Sequence, residues 1–112
     1  YERLIESIEE QIEYDCINAD AEIVREIILI MADVISGTSS TVRIGGSDFP
    51  REIVISRFKK LSSEHIEYVI GCIENSTTKI KNIKSYLISA LYNAPSTMAS
   101  SVSAEFAFYN NN

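Results

Sequence analysis

The chain has 112 residues, 46% of them hydrophobic and 23% charged, with a net charge of −6. These proportions fit one ordinary globular domain and exclude collagen-like, disulfide-dense and wholly disordered classes. The acidic surplus argues against a surface that binds duplex nucleic acid all over, because such binding rests on Lys and Arg neutralising phosphates.

The first segment, YERLIESIEEQI, places Leu4, Ile5, Ile8 and Ile12 on one stripe and Glu2, Glu6, Glu9 and Glu13 around the other side. This predicts an amphipathic helix with an acidic, solvated face. EYDCIN breaks the rhythm and reads as a connector or short turn, with Asp15 as its candidate cap. Asp20 is an N-cap for AEIVREIILIMADVISG, where Ile23, Val24, Ile27, Ile28, Ile30, Met31, Val34 and Ile35 cover most of the circumference. Such a helix is expected at the centre of the fold, closed by Gly37 in a left-handed turn.

In TVRIGGSDF the period changes to two, Val42 and Ile44 facing one way and Thr41 and Arg43 the other, and Gly45-Gly46 supplies the positive φ angles of a hairpin turn. Pro50 then opens a third helix, PREIVISRFKKL, expected to bury Ile53, Val54 and Phe58. Ser62 or Ser63 caps a fourth, SEHIEYVIGCIEN, with Ile66, Val69, Ile70 and Ile73 inward. Asn82 caps a fifth, whose core stripe is Ile83, Tyr86, Leu87, Ala90, Leu91 and Ala94. Pro95 is expected to end that helix. The remainder, residues 96–112, reads as a poorly tied tail in which Phe106 and Phe108 are the residues able to dock. The fold class is therefore mainly α: a compact bundle of about five helices with one small β-hairpin between helices two and three, in a domain spanning residues 1–95.

Chemistry is sparse. The single histidine, His65, has Ser63 and Glu64 beside it, but adjacent helical residues point apart and no GxSxG motif exists, so a packed or cap-proximal histidine is expected. Gly45-Gly46 lies in neither a GxxxxGK nor a GxGxxG pattern and is a turn. Cys16 and Cys72 form no CxxC pair, which reads as free thiols in a reducing cytoplasm. No metal spacing and no cofactor motif is evident, and the chain is expected not to be an enzyme. The longest apolar run, Ile27 to Ala32, has six residues. A membrane-crossing helix needs roughly 20, so no membrane partner is expected. Tyr1 in place of an initiator methionine, with no leader, reads as an excised domain.

Charge is bipolar. Residues 1 to 37 carry ten acids against Arg3 and Arg25, a net −8, whereas residues 38 to 84 carry eight bases against five acids, a net +3. Two groups of cations stand out, Arg57, Lys59 and Lys60, then Lys79, Lys81 and Lys84. They are either solvated loop charges or a patch for phosphates or an acidic partner. The fifth helix also bears Lys84, Ile88 and Tyr92 at i, i+4, i+8, off its core stripe; Ile88 and Tyr92 either contact other parts of the fold or form a strip for a partner. A winged-helix reading is disfavoured because the fourth helix carries Glu64, Glu67 and Glu74 and no Lys or Arg.

Three stretches in this order, TVRIGGSDFP, SRFKKLSSEHIEYVI and TTKIKNIKSYLISALYNAPST, resemble the C-terminal domain of the replication initiator protein A (RepA) family of Gram-positive plasmids and integrative elements, over roughly residues 1 to 97. NIKSYLISAL is more distantly similar to the last helix of the primosomal DnaD-like C-terminal domain. By position Tyr86, Leu87 and Leu91 match that pattern, and Ala94 stands where an aromatic is common. The resemblance implies a non-enzymatic, cytoplasmic module that recruits a host replication protein, such as a helicase loader or primosomal protein. The alternatives are weak sequence-tolerant binding of DNA through the basic patch and self-association of the initiator.

Overall fold

Three of the helices, those entered at Asp20, Ser62 and Asn82, start where a side chain meets an orphan amide of the first turn. A computed structural model describes residues 1–75 and 82–110, with side chains described as far as residue 99. The order is α1 (Glu2–Gln11), a single 3-10 turn (Tyr14–Cys16), α2 (Ala21–Ser36), β1 (Thr41–Ile44), β2 (Ser47–Pro50), α3 (Arg51–Phe58), α4 (Ser63–Glu74) and α5 (Ile83–Asn110). The mainly helical class, the five helices and the hairpin between α2 and α3 agree with the sequence.

Three caps behave as their chemistry predicts. Asp20 Oδ1 accepts the Glu22 amide at 2.9 Å, and Asn82 Oδ1 accepts the Ser85 amide at 3.1 Å. At α4 the Ser62 amide donates to Nδ1 of His65 at 3.0 Å, so the histidine side chain reaches back over the helix start as a capping-box residue does. Asp15 is no cap; it lies inside the 3-10 turn, whose entry is made by Glu13 at φ 52°.

The hairpin pairs Thr41 with Pro50 and Ile44 with Ser47, and Gly45 and Gly46 turn it at φ 58° and 83°. Val42 and Ile44 face the core while Thr41 and Arg43 face out, so the alternation inferred from the sequence sets which side is buried. Central α2 buries Val24, Ile27, Ile28, Ile30, Met31, Ala32 and Val34, and packs against α1, α3 and α5. Phe58, Leu61, Ile66, Leu87 and Leu91 complete the core, and no polar or charged residue is buried among the described ones.

Several expectations need correction. Gly37 does follow α2, but at φ −65° and ψ 153°, which is not left-handed. Its small size serves a different purpose, since a Cβ there would collide with the guanidinium of Arg51. From the first turn of α3, Arg51 donates to the carbonyls of Val34 and Ser39 and to the Ser39 hydroxyl, closing the open end of α2. Ile53 is not buried but 49% exposed, because the inner face of so short a helix is filled by Val54 and Phe58. Ile83 is 40% exposed at the first turn of α5, and the core contact begins at Leu87.

Pro95 does not end α5. The helix passes through it and continues to Asn110. A proline inside a helix removes the amide that would bond four residues back and crowds that carbonyl. That carbonyl belongs to Leu91; in the next positions Arg57 Nη1 donates to the Tyr92 carbonyl and Thr97 Oγ1 to the Asn93 carbonyl, both at 2.9 Å. The docking expected of the Phe106 and Phe108 side chains lies outside the described residues.

Candidate interaction surface

Arg57 sits in the last turn of α3, half-buried, with its guanidinium 4.4 Å from the centre of the Tyr92 ring. Nη1 binds the Tyr92 carbonyl, and Nη2 lies 3.3 Å from the Ser96 hydroxyl. Tyr92 is held from the hairpin side as well, its ring centre 5.1 Å from that of Phe49 and inclined by 44°. Strand β2, α3 and α5 thus contribute one side chain each to an aromatic and cationic cluster. A stacked arginine of this kind contributes roughly 0.5–1 kcal/mol when exposed, and a charged hydrogen bond about 1.5–3 kcal/mol. One α3 turn before Arg57 on the same face lies the exposed Ile53.

The remaining residues singled out in the sequence are spread around this cluster. Ile88 is half-buried against the core, and Lys84 is exposed near the start of α5. Lys59 and Lys60 are exposed on the corner after α3. That corner is fixed by Gln11 of α1, whose Nε2 donates to the carbonyls of Phe58 and Leu61 at 2.9 and 2.8 Å. Lys79 and Lys81 lie outside the described residues. The structure brings Arg57 and Tyr92 together, and places Lys59, Lys60 and Lys84 at the surface without an ion pair among the described residues, where Arg43 and Asp48 at 3.4 Å form the one pair. Phe49 and Ser96 escaped the sequence reading, which expects Ile53 in the core rather than at the surface. The aromatic at position 49 was visible, but its meeting with Tyr92 spans 43 positions of chain and has no local signal.

A second surface feature lies on the other flank of α5. Tyr68, Val69 and Cys72 of α4 and Tyr86, Ser89, Ala90, Asn93 and Thr97 of α5 line an open groove of about 220 Å³. Burial and the neighbouring Cys72 and Tyr86 push the Tyr68 hydroxyl above the ordinary tyrosine value. At the corner between α1 and the 3-10 turn, Glu9, Glu10, Glu13, Tyr14, Asp15 and Cys16 rim a shallow acidic hollow of about 270 Å³. Among the described residues no three His, Cys, Asp or Glu side chains are grouped to hold a metal ion. Nor is any described helix long and apolar enough to cross a membrane. The Nδ1 of His65 accepts the Ser62 amide and lies 3.0 Å from the Ser62 hydroxyl, so that nitrogen is occupied by the start of α4.

Neither the curated proteins nor the solved structures contain a match to this chain. A family model does match it, over residues 1–109. The chain therefore belongs to DUF6017, a family of unknown function.

Proposed function

We propose that this chain is a non-enzymatic module of a plasmid or mobile-element replication initiator and recruits a host replication protein by direct contact. The replication context comes from the resemblance of TVRIGGSDFP, SRFKKLSSEHIEYVI and TTKIKNIKSYLISALYNAPST to the C-terminal domain of RepA-type initiators. One observation supports a contact role: an arginine and two aromatic rings are fixed beside the exposed Ile53 and flanked by Lys59 and Lys60. Arginine, aromatic and aliphatic side chains held rigid at a surface are what protein contacts draw most of their energy from. The cations around them favour a partner with an acidic edge, such as a helicase loader or primosomal protein of that character.

The test is affinity capture from host extract with the chain and with Ile53→Asp, which puts a charge on the exposed side chain while leaving the core untouched. A replication protein is expected with the parent chain and lost with the variant. Capture by a full initiator but not by this chain would refute the proposal.

A second reading, weak sequence-tolerant binding of DNA, is favoured by the exposed Lys59, Lys60 and Lys84, which pair with no acid among the described residues. Fluorescence anisotropy against single- and double-stranded DNA distinguishes it. Binding through these lysines weakens steeply as salt rises, because each neutralised phosphate releases counterions. A signal indifferent to salt counts against it.

A further inference from the structure

We infer that the groove between α4 and α5 is the face on which two copies of this chain pair. It lies on the flank of α5 away from the Arg57 cluster, and its argument stands apart from the recruitment reading. The groove takes Tyr68 and Cys72 from one helix and Tyr86, Ala90 and Asn93 from the other. Two of its polar side chains are turned onto their own helix. Asn93 Nδ2 donates to the Ser89 carbonyl and Thr97 Oγ1 to the Asn93 carbonyl, both at 2.9 Å. Those donors are already satisfied, so the groove offers mainly apolar atoms and tyrosine rings, a composition suited to the centre of a protein interface.

Charge selects the occupant. A chain of net charge −6 repels a copy of itself over much of its surface, above all along the acidic first third. From Ser85 to Ala104, however, the sequence contains no charged residue, and the α4 residues lining the groove are uncharged as well. In a two-fold interface each patch meets its own copy, so charges near the axis face their own kind. The groove can be brought against itself without that penalty, provided that the exposed Glu64 and Glu67 at the start of α4 stay at the rim, and Ser89 and Ala90 on α5 let two backbones approach closely.

The size suits a weak dimer. From Ser85 to Ala99 the uncharged stretch is about 22 Å long at 1.5 Å per residue. With α4, about 18 Å long, packed about 10 Å to its side, the strip covers roughly 400 Å² in projection, about half the roughly 800 Å² per partner of a standard interface and in the range of weak contacts.

The test is sedimentation equilibrium of the chain from low to high micromolar concentration, beside two variants. The parent is expected to form a concentration-dependent dimer. Asn93→Lys, at an exposed position on the groove's rim, is expected to weaken it about a hundredfold, the effect of an unpaired charge in a desolvated contact. Glu26→Gln shifts net charge by the same amount from an exposed site on α2 and is expected to leave the dimer unchanged. Circular dichroism confirms that each variant is folded. In a Cys16→Ser background a short bifunctional maleimide should join Cys72 to Cys72 of the second copy. A chain that stays monomeric at every concentration, or a dimer that Asn93→Lys leaves intact, overturns the assignment.

Discussion

The two flanks of α5 are attached by different physics. Toward α3 and the hairpin the contact is directional: Arg57 reaches a backbone carbonyl, a hydroxyl and a ring face at once, and Phe49 closes the other side of that ring. Toward α4 the contact rests on burial of Val69, Ile70, Leu87 and Leu91, and above that layer the side chains part into an open groove. A directional attachment fixes the rotation of a helix about its axis, whereas burial alone holds its distance. The first flank therefore presents a preformed surface, and the second presents one that a partner would complete.

The contrast can be broken most severely at the residue both flanks share. Leu91 is fully buried where α5 faces the core. Leu91→Ala removes the side chain and leaves a cavity, a change that costs about 2–5 kcal/mol in well-packed cores. Urea denaturation should report a loss in that range, and both attachments should loosen together. A loss below 1 kcal/mol, on the order of a surface substitution, would mean that α5 is held by Arg57 alone.

A smaller effect isolates the directional flank. Arg57→Met keeps much of the apolar stem but strips the Tyr92 carbonyl and ring of their partner, and should cost about 2 kcal/mol. Pro95→Ala restores an amide that faces the Leu91 carbonyl, not the Tyr92 carbonyl that Arg57 binds. The two effects should therefore add to within about 0.5 kcal/mol in a double-mutant cycle. A coupling term above about 1 kcal/mol would show that Arg57 steadies the turn the proline weakens.

How much of this was legible in the sequence depends on the range of the interaction. The caps at Asp20, Ser62 and Asn82 and the Gly45-Gly46 turn were readable because each is settled within four residues. The core stripe of α2 was readable because its period is helical. Pro95 misled because a helix held from other elements can run through a proline, and here the hold includes Arg57 of α3 at the Tyr92 carbonyl, 35 positions away. Gly37 misled for the same reason: its smallness answers to Arg51, and no local pattern links the two. Gln11 carries no local signal of its role, yet it holds the corner from which Lys59 and Lys60 project. The candidate surface was thus visible as residue types, Arg57 and Tyr92 among them, and invisible as an arrangement.

The groove flank offers a gentler probe, the ionisation of Tyr68. Burial, the neighbouring Cys72 and then Tyr86 disfavour the phenolate, so the folded value lies above the unfolded one. The sign follows from linkage. A group whose value is raised on folding contributes stability that is fully present below the unfolded value and is lost as pH rises through the folded value. Ultraviolet titration of the chain should therefore show one tyrosine ionising later than free tyrosine beyond any delay at Tyr1, which donates to Asp33 at 2.8 Å and is raised first by that bond. Tyr68→Phe should remove the Tyr68 component and leave the Tyr1 one. If the groove closes against a second copy, burial deepens and the Tyr68 component should move further upward with protein concentration. In Asn93→Lys it should stay where dilute protein puts it, which ties the smallest of these effects to the pairing of the α4–α5 face.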